Sequence, residues 1–585
     1  MGFCSDARAE DYDVSVIGGW ATAADDPTTL SGALHLATDS DVIVFENDLM
    51  TPGDWPEDWL LPDSYAIFSH TASDLMFDLG IFTLGGVPLD FRTGGHTFTF
   101  TGGTLGTGDG MRIGYEADAN VVFNNGTLNA GILNIGSATR NGRFSLIEVA
   151  SGSSAGAITL TGSGSELSFH HSMLTATGDF TATGGSTLDL AANSTLEING
   201  NIEMDASTLN LDASTLTTAG NFTVTGGSTL DLAANSTLEI DGNIEMDTST
   251  LNLDASTLTT TENFTVTNGS TVILADSSLN VSDLTVSGVN AYEETPGDGD
   301  YRYTPSTFSG SGALNHTGNL LFEKGASVDL RDLFSGPLTV TATSGLTVDS
   351  IYSHKEGATS YQTQVDLGGQ ALIIDGGVAN VSNGADLAGV TDITVGNSGA
   401  LNVTGATFDD DSGGKYYSWL HADGNLTVDG GMVSVLDGGK IDGLTNITLG
   451  NTTAGTLNIS GRDNEVEVNS TVTASGDLIV GNGNPGTLAM SDAGQLIIGG
   501  NTFVGSQGTG AVTVHGVGSS NVRTALSSNG TFILGDGADG SLAVTTGALV
   551  DVDGIAIIGN TAGTTGTLSV TGRGGTGDEI GRAHV

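Results

Sequence analysis

Short alternations of apolar and polar residues recur along this chain, separated by turns rich in Gly, Asn and Ser. Examples are Leu188-Asp189-Leu190, Leu196-Glu197-Ile198 and Ile202-Glu203-Met204. A period of two is typical of a β-strand that buries one of its faces. Three short strands of this kind, with turns between them, predict one coil of a β-helix.

Internal repeats set the length of the predicted coil. The segment 186–204 recurs at 228–246 with a change at a single position. Large apolar residues at intervals of 22, 20, 22 and 20 divide this repeat again: Phe180, Ile202, Phe222, Ile244 and Phe264. Such short strands bury their inner faces only by stacking on copies of themselves. We therefore predict an all-β protein, a parallel β-helix (β-solenoid), with about 21 residues per three-strand coil and about 25 coils.

A polar residue precedes each of these large apolar residues. The positions are Asp179, Asn201, Asn221, Asn243 and Asn263. Stacking of the coils would align them in one column, where side-chain amides can bind turn amides of the next coil. A corner ladder is the structural interpretation of this column, and a row of ligand or ion sites is the functional one.

The second half of the chain repeats a different motif, in which a strand and a Gly turn lead to Gly-Thr-Leu. The three copies begin at Ile447, Leu478 and Ile557 and reach Gly455, Gly486 and Gly566. This motif resembles the repeats of autotransporter passenger domains and related exported bacterial proteins. The resemblance implies a right-handed β-helix on the cell surface or in the extracellular medium, with a function in adhesion.

Seven segments follow from these patterns. They are 1–9, a truncated leader remnant; 10–165, an N-terminal cap with irregular β-helix; 166–290, the regular repeats; 291–303, a loop excursion; 304–440, β-helix with loops; 441–578, the autotransporter-type repeats; and 579–585, a sequencing-adapter artefact.

Both ends of the sequence depart from the repeats. Ala7-Arg8-Ala9 has the small-x-small pattern of a signal-peptidase site, so we expect export through a leader that is truncated here. Residues 579–585 resemble the translation of a sequencing adapter. We therefore expect the true C-terminus, and any membrane anchor, to lie elsewhere.

The composition restricts the partners. The chain has 68 acidic and 15 basic residues and a formal net charge of -53, which disfavours nucleic acid and anionic lipid. With Cys4 as the single cysteine, an intramolecular disulfide cannot form. We expect host or environmental glycans, or neighbouring cells, as partners.

Several residues are candidates for binding sites. Trp55, Trp59 and Tyr65 could stack on sugar rings or close the end of the solenoid. Two acidic groups, Asp298 with Asp300 and 409–411, could bind calcium or form solvated turns. The histidines His170, His171 and His421 have no partners at metal-ligand spacing in the sequence.

A threonine array raises the possibility of ice binding. Thr181 and Thr183 begin it, but Glu203 and Asp205 interrupt it in the next coil. The sequence therefore argues against a flat ice-binding face.

A polysaccharide lyase or glycoside hydrolase is the main alternative, because β-helices also carry such enzymes. A lyase needs a basic groove, and the chain has four lysines: Lys324, Lys355, Lys415 and Lys440. A hydrolase needs paired carboxylates, which an acidic chain places almost anywhere. We predict no catalytic, cofactor-binding or metal-binding residues, and a structural or adhesive stalk that is not an enzyme.

Overall fold

A computed structural model describes residues 89–572 except 116, 289–291, 294–300, 303–304, 351–361, 408–415, 464–467 and 517–521. Before residue 89 it describes six strands: Asp11–Val14, Val42–Phe45, Leu49–Met50, Ala66–Ser69, Leu75–Leu79 and Ile81–Leu84.

In the described part of the chain, the strands form an all-β parallel β-helix of about 19 turns, with about 23 residues per turn. Strands of one coil pair in parallel with the equivalent strands of the next, and the described residues contain no helix. The predicted fold class is confirmed. The coils are fewer and longer than predicted, because excursions and longer turns lengthen many coils outside the regular repeats.

The first compact unit comprises Met1–Phe264 and Ile273–Asn280. From residue 89, each of its coils has three strands. In order they are Leu89–Arg92, Thr97–Thr101, Thr104–Thr107; Met111–Ile113, Ala119–Asn124, Thr127–Ala130; Leu133–Ile135, Gly142–Ile147, Ser154–Ala155; Ile158–Thr161, Glu166–His170, Met173–Ala176; Phe180–Thr183, Thr187–Ala191, Thr195–Ile198; Ile202–Asp205, Thr208–Leu211, Thr215–Thr218; Phe222–Thr225, Thr229–Leu232, Thr237–Ile240; and Ile244–Asp247, Thr250–Asp254, Thr257–Thr260.

The inward residues of this unit stack in register. Phe180 pairs with Ile202, and Ile202 pairs with Phe222, as their alternating sequence intervals predict. All three side chains are buried. Because burial of one such side chain stabilises the fold by about 1.5–3 kcal/mol, a slipped register would be costly.

The predicted corner ladder is also present. The backbone amide of Asn201 donates to Asp179 Oδ1 at 2.7 Å, and that of Asn221 donates to Asn201 Oδ1 at 2.9 Å. Asn243 and Asn263 continue the series at 2.9 and 3.2 Å. Each side chain thus satisfies a turn amide of the following coil.

The second unit comprises Thr265–Val272 and Val281–Val585. Its parallel strands are Leu284–Ser287, Thr307–His316, Leu320–Glu323, Ser327–Asp329, Leu338–Thr341, Gly345–Asp349, Gln364–Asp375, Val378–Ser382, Asp386–Gly396, Ala400–Thr404, Trp419–Ala422, Leu426–Asp429, Met432–Leu436, Lys440–Leu444, Ile447–Leu449, Gly455–Ser460, Thr471–Ala474, Leu478–Val480, Gly486–Ser491, Gln495–Ile498, Thr502–Val504, Gly510–His515, Ala525–Ser528, Phe532–Leu534, Gly540–Thr545, Leu549–Val552, Ala556–Ile558 and Gly566–Thr571.

Coil length varies in this second unit. Leu478 pairs backward with Ile447 and forward with Thr502, and the first of these two intervals is clearly the longer. Part of the extra length forms antiparallel excursions from the parallel faces. These are Tyr292–Glu293 with Tyr301–Arg302, Ala406–Thr407 with Tyr416–Tyr417, and Arg462–Asp463 with Val468–Asn469.

Candidate functional site

One group of charged and aromatic side chains lies on the outer face of three consecutive coils of the second unit. Asp386, Trp419 and Lys440 begin three neighbouring parallel strands and pair in register. His421 and Asp442 pair two positions further along the last two strands. Because residues i and i+2 share one face of a strand, these five side chains lie together. We call them the Trp419 cluster.

Cations and rings contact each other closely in the Trp419 cluster. The Lys440 Nζ atom lies 4.1 Å from the centroid of the Trp419 ring and 2.8 Å from Asp442 Oδ2. His421 Nδ1 lies 2.7 Å from Asp442 Oδ1, and the His421 ring centroid lies 3.8 Å from that of Trp419. The Tyr417 ring approaches Trp419 edge-on, at 6.4 Å between centroids.

Asp386 is the carboxylate of the cluster that has no direct cation contact. Its Oδ1 atom is buried and makes no hydrogen bond, and the same holds for the indole Nε1 of Trp419. Burial raises the pKa of the Asp386 carboxyl; the negative charges of Asp442 and Asp366 act in the same direction, and His421 opposes them. The buried acceptor and the buried donor lie on residues that pair in register, and neither has the hydrogen-bond partner that buried polar atoms usually have.

The cluster unites residues that are distant in the sequence. Trp419 pairs with Lys440 and His421 with Asp442 at one and the same sequence interval. This interval equals the coil period predicted from the regular repeats, so projecting that period onto 419–442 would have found both pairs. Asp386 could not be found in this way, because the excursion at 406–417 lengthens its coil and moves Trp419 well beyond that period.

The other described candidates do not assemble a site. His170 and His171 contact each other edge-on, with ring centroids 4.6 Å apart. Lys324 Nζ lies 3.0 Å from Glu323 Oε1. In the described parts of the chain, no group of three or more His, Cys, Asp or Glu residues is placed to hold a metal ion.

The interruption of the threonine array is present in the structure. Thr181 pairs with Glu203, and Glu203 pairs with Thr223, so a carboxylate replaces the hydroxyl in every second coil of this column.

Some predicted candidates lie outside the described residues. They are Cys4, Trp55, Trp59, Tyr65, Asp298, Asp300, Lys355, Lys415, the acidic run 409–411 and the terminal segments 1–9 and 579–585.

A second ladder was missed by the sequence interpretation. Buried serines at the turns accept hydrogen bonds from the amides of the preceding coil: Ser172 from Val149 at 3.1 Å, and Ser194 from Ser172 at 3.2 Å. Ser214 accepts from Ser194 at 3.1 Å. The signal was the recurrent Ser-Thr-Leu triplet, whose Ser precedes the second and third strands of a coil in the regular repeats and so occupies the corner.

The chain matches no known family model, and no curated protein shows significant similarity to it. No helix in the described part of the chain is long and apolar enough to cross a membrane.

Proposed function

We propose that the chain is a structural or adhesive stalk, secreted by a bacterium or displayed on its surface, like the passenger domains that its Gly-Thr-Leu repeats resemble. The observation that carries the proposal is the pair of ladders. Asn and Ser side chains satisfy turn amides from coil to coil, so each coil depends only on its neighbours. A body built in this way can carry binding surfaces along its length, because each coil completes its core and its hydrogen bonds with the coils beside it.

Antibody labelling tests the location. Antibodies raised against the full chain should label intact cells of the source bacterium or detect the chain in its culture medium. Labelling that appears only after the cells are made permeable would contradict export.

Retention on surfaces tests adhesion. Beads coated with the full chain should be retained on glycan-coated or cell-coated surfaces through many weak contacts that add up. Beads coated with an unrelated protein of similar negative charge serve as the control. Equal retention of both beads would contradict adhesion.

A polysaccharide-active enzyme is the second candidate, and Asp386 favours it. A carboxyl with a raised pKa near a second carboxylate, Asp442, is the pair from which general acid catalysis can be built. If the chain is such an enzyme, it should release new reducing or unsaturated ends from polysaccharides, and Asp386→Asn should abolish the release. If a broad polysaccharide panel yields no new ends, the adhesive stalk is favoured.

A further inference from the structure

The Trp419 cluster already holds one ammonium group of the chain itself. The Lys440 ammonium lies against the indole face of Trp419 and beside the Asp442 carboxylate. An aromatic face with an adjacent carboxylate is a favourable environment for an alkylammonium ion, through cation–π attraction and charge-assisted hydrogen bonds.

One carboxylate remains beyond this internal pair. Asp386 pairs in register with Trp419 on the side away from Lys440, and its Oδ1 atom has no hydrogen-bond partner. The cluster therefore contains one aromatic side chain between two carboxylate positions, of which Lys440 contacts one. A second cation, supplied by a ligand, would contact Asp386 as Lys440 contacts Asp442.

We propose that the Trp419 cluster binds the protonated amine of an amino sugar within a polysaccharide. This inference rests on the adhesive function proposed above and names the ligand class and the site. The amine pairs with the partly exposed carboxyl of Asp386. The sugar ring lies against the aromatic surface of Trp419 and Tyr417, whose ring centroids are 6.4 Å apart.

Charge selects this class over other saccharides. The net charge of -53 repels uronate and sulfate polymers and attracts cationic ones, while a neutral sugar gains only hydroxyl hydrogen bonds from Asp386 and no charge attraction. Lys440 competes with the ligand as an internal occupant of the indole face. Its flexible side chain can turn away when the amine enters.

Binding of matched oligosaccharides to the full chain tests the proposal. Calorimetry at about pH 6, where amines are protonated and most carboxylates are ionised, compares three probes: a glucosamine tetrasaccharide, its fully N-acetylated counterpart and tetralysine. The glucosamine tetrasaccharide should bind, more weakly as salt rises. Absence of binding, equal binding of the N-acetylated probe, or equal binding of tetralysine would each overturn the proposal.

Substitutions test whether these residues bind the ligand: two should weaken binding and one should strengthen it. Asp386→Asn and Trp419→Leu should each weaken binding by about tenfold, because the first removes the carboxylate that pairs with the amine and the second removes the aromatic surface against which the sugar ring lies. Lys440→Gln should strengthen binding, because it vacates the indole face. Asp551→Asn, which removes an exposed charge on strand Leu549–Val552, should change nothing and is the control.

The results separate failure of the proposed site from failure of the proposed function. If Asp386→Asn and Asp551→Asn bind alike, the site is not the Trp419 cluster. Circular dichroism and thermal melting of every variant separate a lost contact from a lost fold. The proposed function fails by a different result, namely antibody labelling inside the cell or no specific bead retention, and neither depends on calorimetry with the isolated chain.

Discussion

At the scale of single residues, the Asp429 side chain accepts the amide hydrogen bonds that a backbone carbonyl accepts in the later turns of the same series. In the next turn, the amides of Asn482, Gly483 and Asn484 all donate to the Gly450 carbonyl at 3.0 Å. The turn at Gly450 itself has its Thr452 and Thr453 amides bound by Asp429 Oδ1 instead. Partial burial acts to raise the pKa of Asp429, but hydrogen bonds from the Thr452 hydroxyl and the two amides outweigh it and hold the pKa below its ordinary value.

Removal of the Asp429 carboxylate should destabilise this turn. Asp429→Ala leaves two amides without their acceptor, and we expect a loss of about 1 kcal/mol in the free energy of unfolding at neutral pH. Because the pKa of Asp429 is lowered in the folded chain, its contribution is full above the unfolded value near 4 and is lost as pH falls through the folded value. Urea unfolding of both proteins along a pH series measures this. A constant difference down to strong acid would contradict the assignment.

Asp386 should affect stability in the opposite sense. Its pKa is raised in the folded chain, so the folded state binds the proton more tightly, and stability decreases as pH rises through the folded value. Asp386→Asn should therefore stabilise the chain at pH 7, by less than about 1 kcal/mol because solvent screens the partly exposed carboxyl. Below about pH 4 the two proteins should melt alike. A stabilisation that persists in acid would show that charge is not the cause.

At the scale of the strands, acidic and neutral side chains alternate along some outward columns of the regular repeats. One column reads Glu197, Thr217, Glu239, Thr259, and another reads Asp189, Asn210, Asp231, Asn252. Adjacent coils are about 4.8 Å apart, so carboxylates in one column are separated by about 9.6 Å, beyond the Debye length of about 8 Å at physiological salt. The two-coil repeat therefore keeps the carboxylates within each of these columns apart.

A carboxylate at a neutral position of this column should be unfavourable. Thr217→Glu places a glutamate between Glu197 and Glu239, and we expect a loss of about 0.5–1 kcal/mol at low salt that shrinks at high salt. Thr217→Gln has the same shape without the charge and is the control. Thermal melting at two salt concentrations measures both, and equal losses for Glu and Gln would indicate a steric cause.

At the scale of the whole molecule, the regularly repeated features could be predicted and the irregular ones could not. The pairing of Phe180 with Ile202 and the Asn201 ladder follow from a period visible in the sequence. The pairing of Asp386 with Trp419 does not, because excursions of unequal length separate the coils and only the folded register aligns them. A local pattern records which face a residue occupies; it does not record which distant residue lies beside it.

Deletion of whole coils tests the two-coil unit. Removal of 207–248 keeps a neutral residue next to each acidic one in these two columns, whereas removal of 207–227 stacks Glu197 on Glu239 and Asp189 on Asp231. We expect the two-coil deletion to melt within a few degrees of the full chain, and the one-coil deletion to melt earlier and to recover in salt. A one-coil deletion as stable as the two-coil deletion would contradict a role for charge alternation.

The near identity of the segments 186–204 and 228–246 has a genetic consequence. Where the codons match as the residues do, the two stretches of coding DNA can recombine unequally, and each exchange adds or removes one such unit. The joined copies still match in reading frame, hydrogen bonding and charge sign. The number of these two-coil units can therefore change among descendants of one gene while the encoded protein still folds.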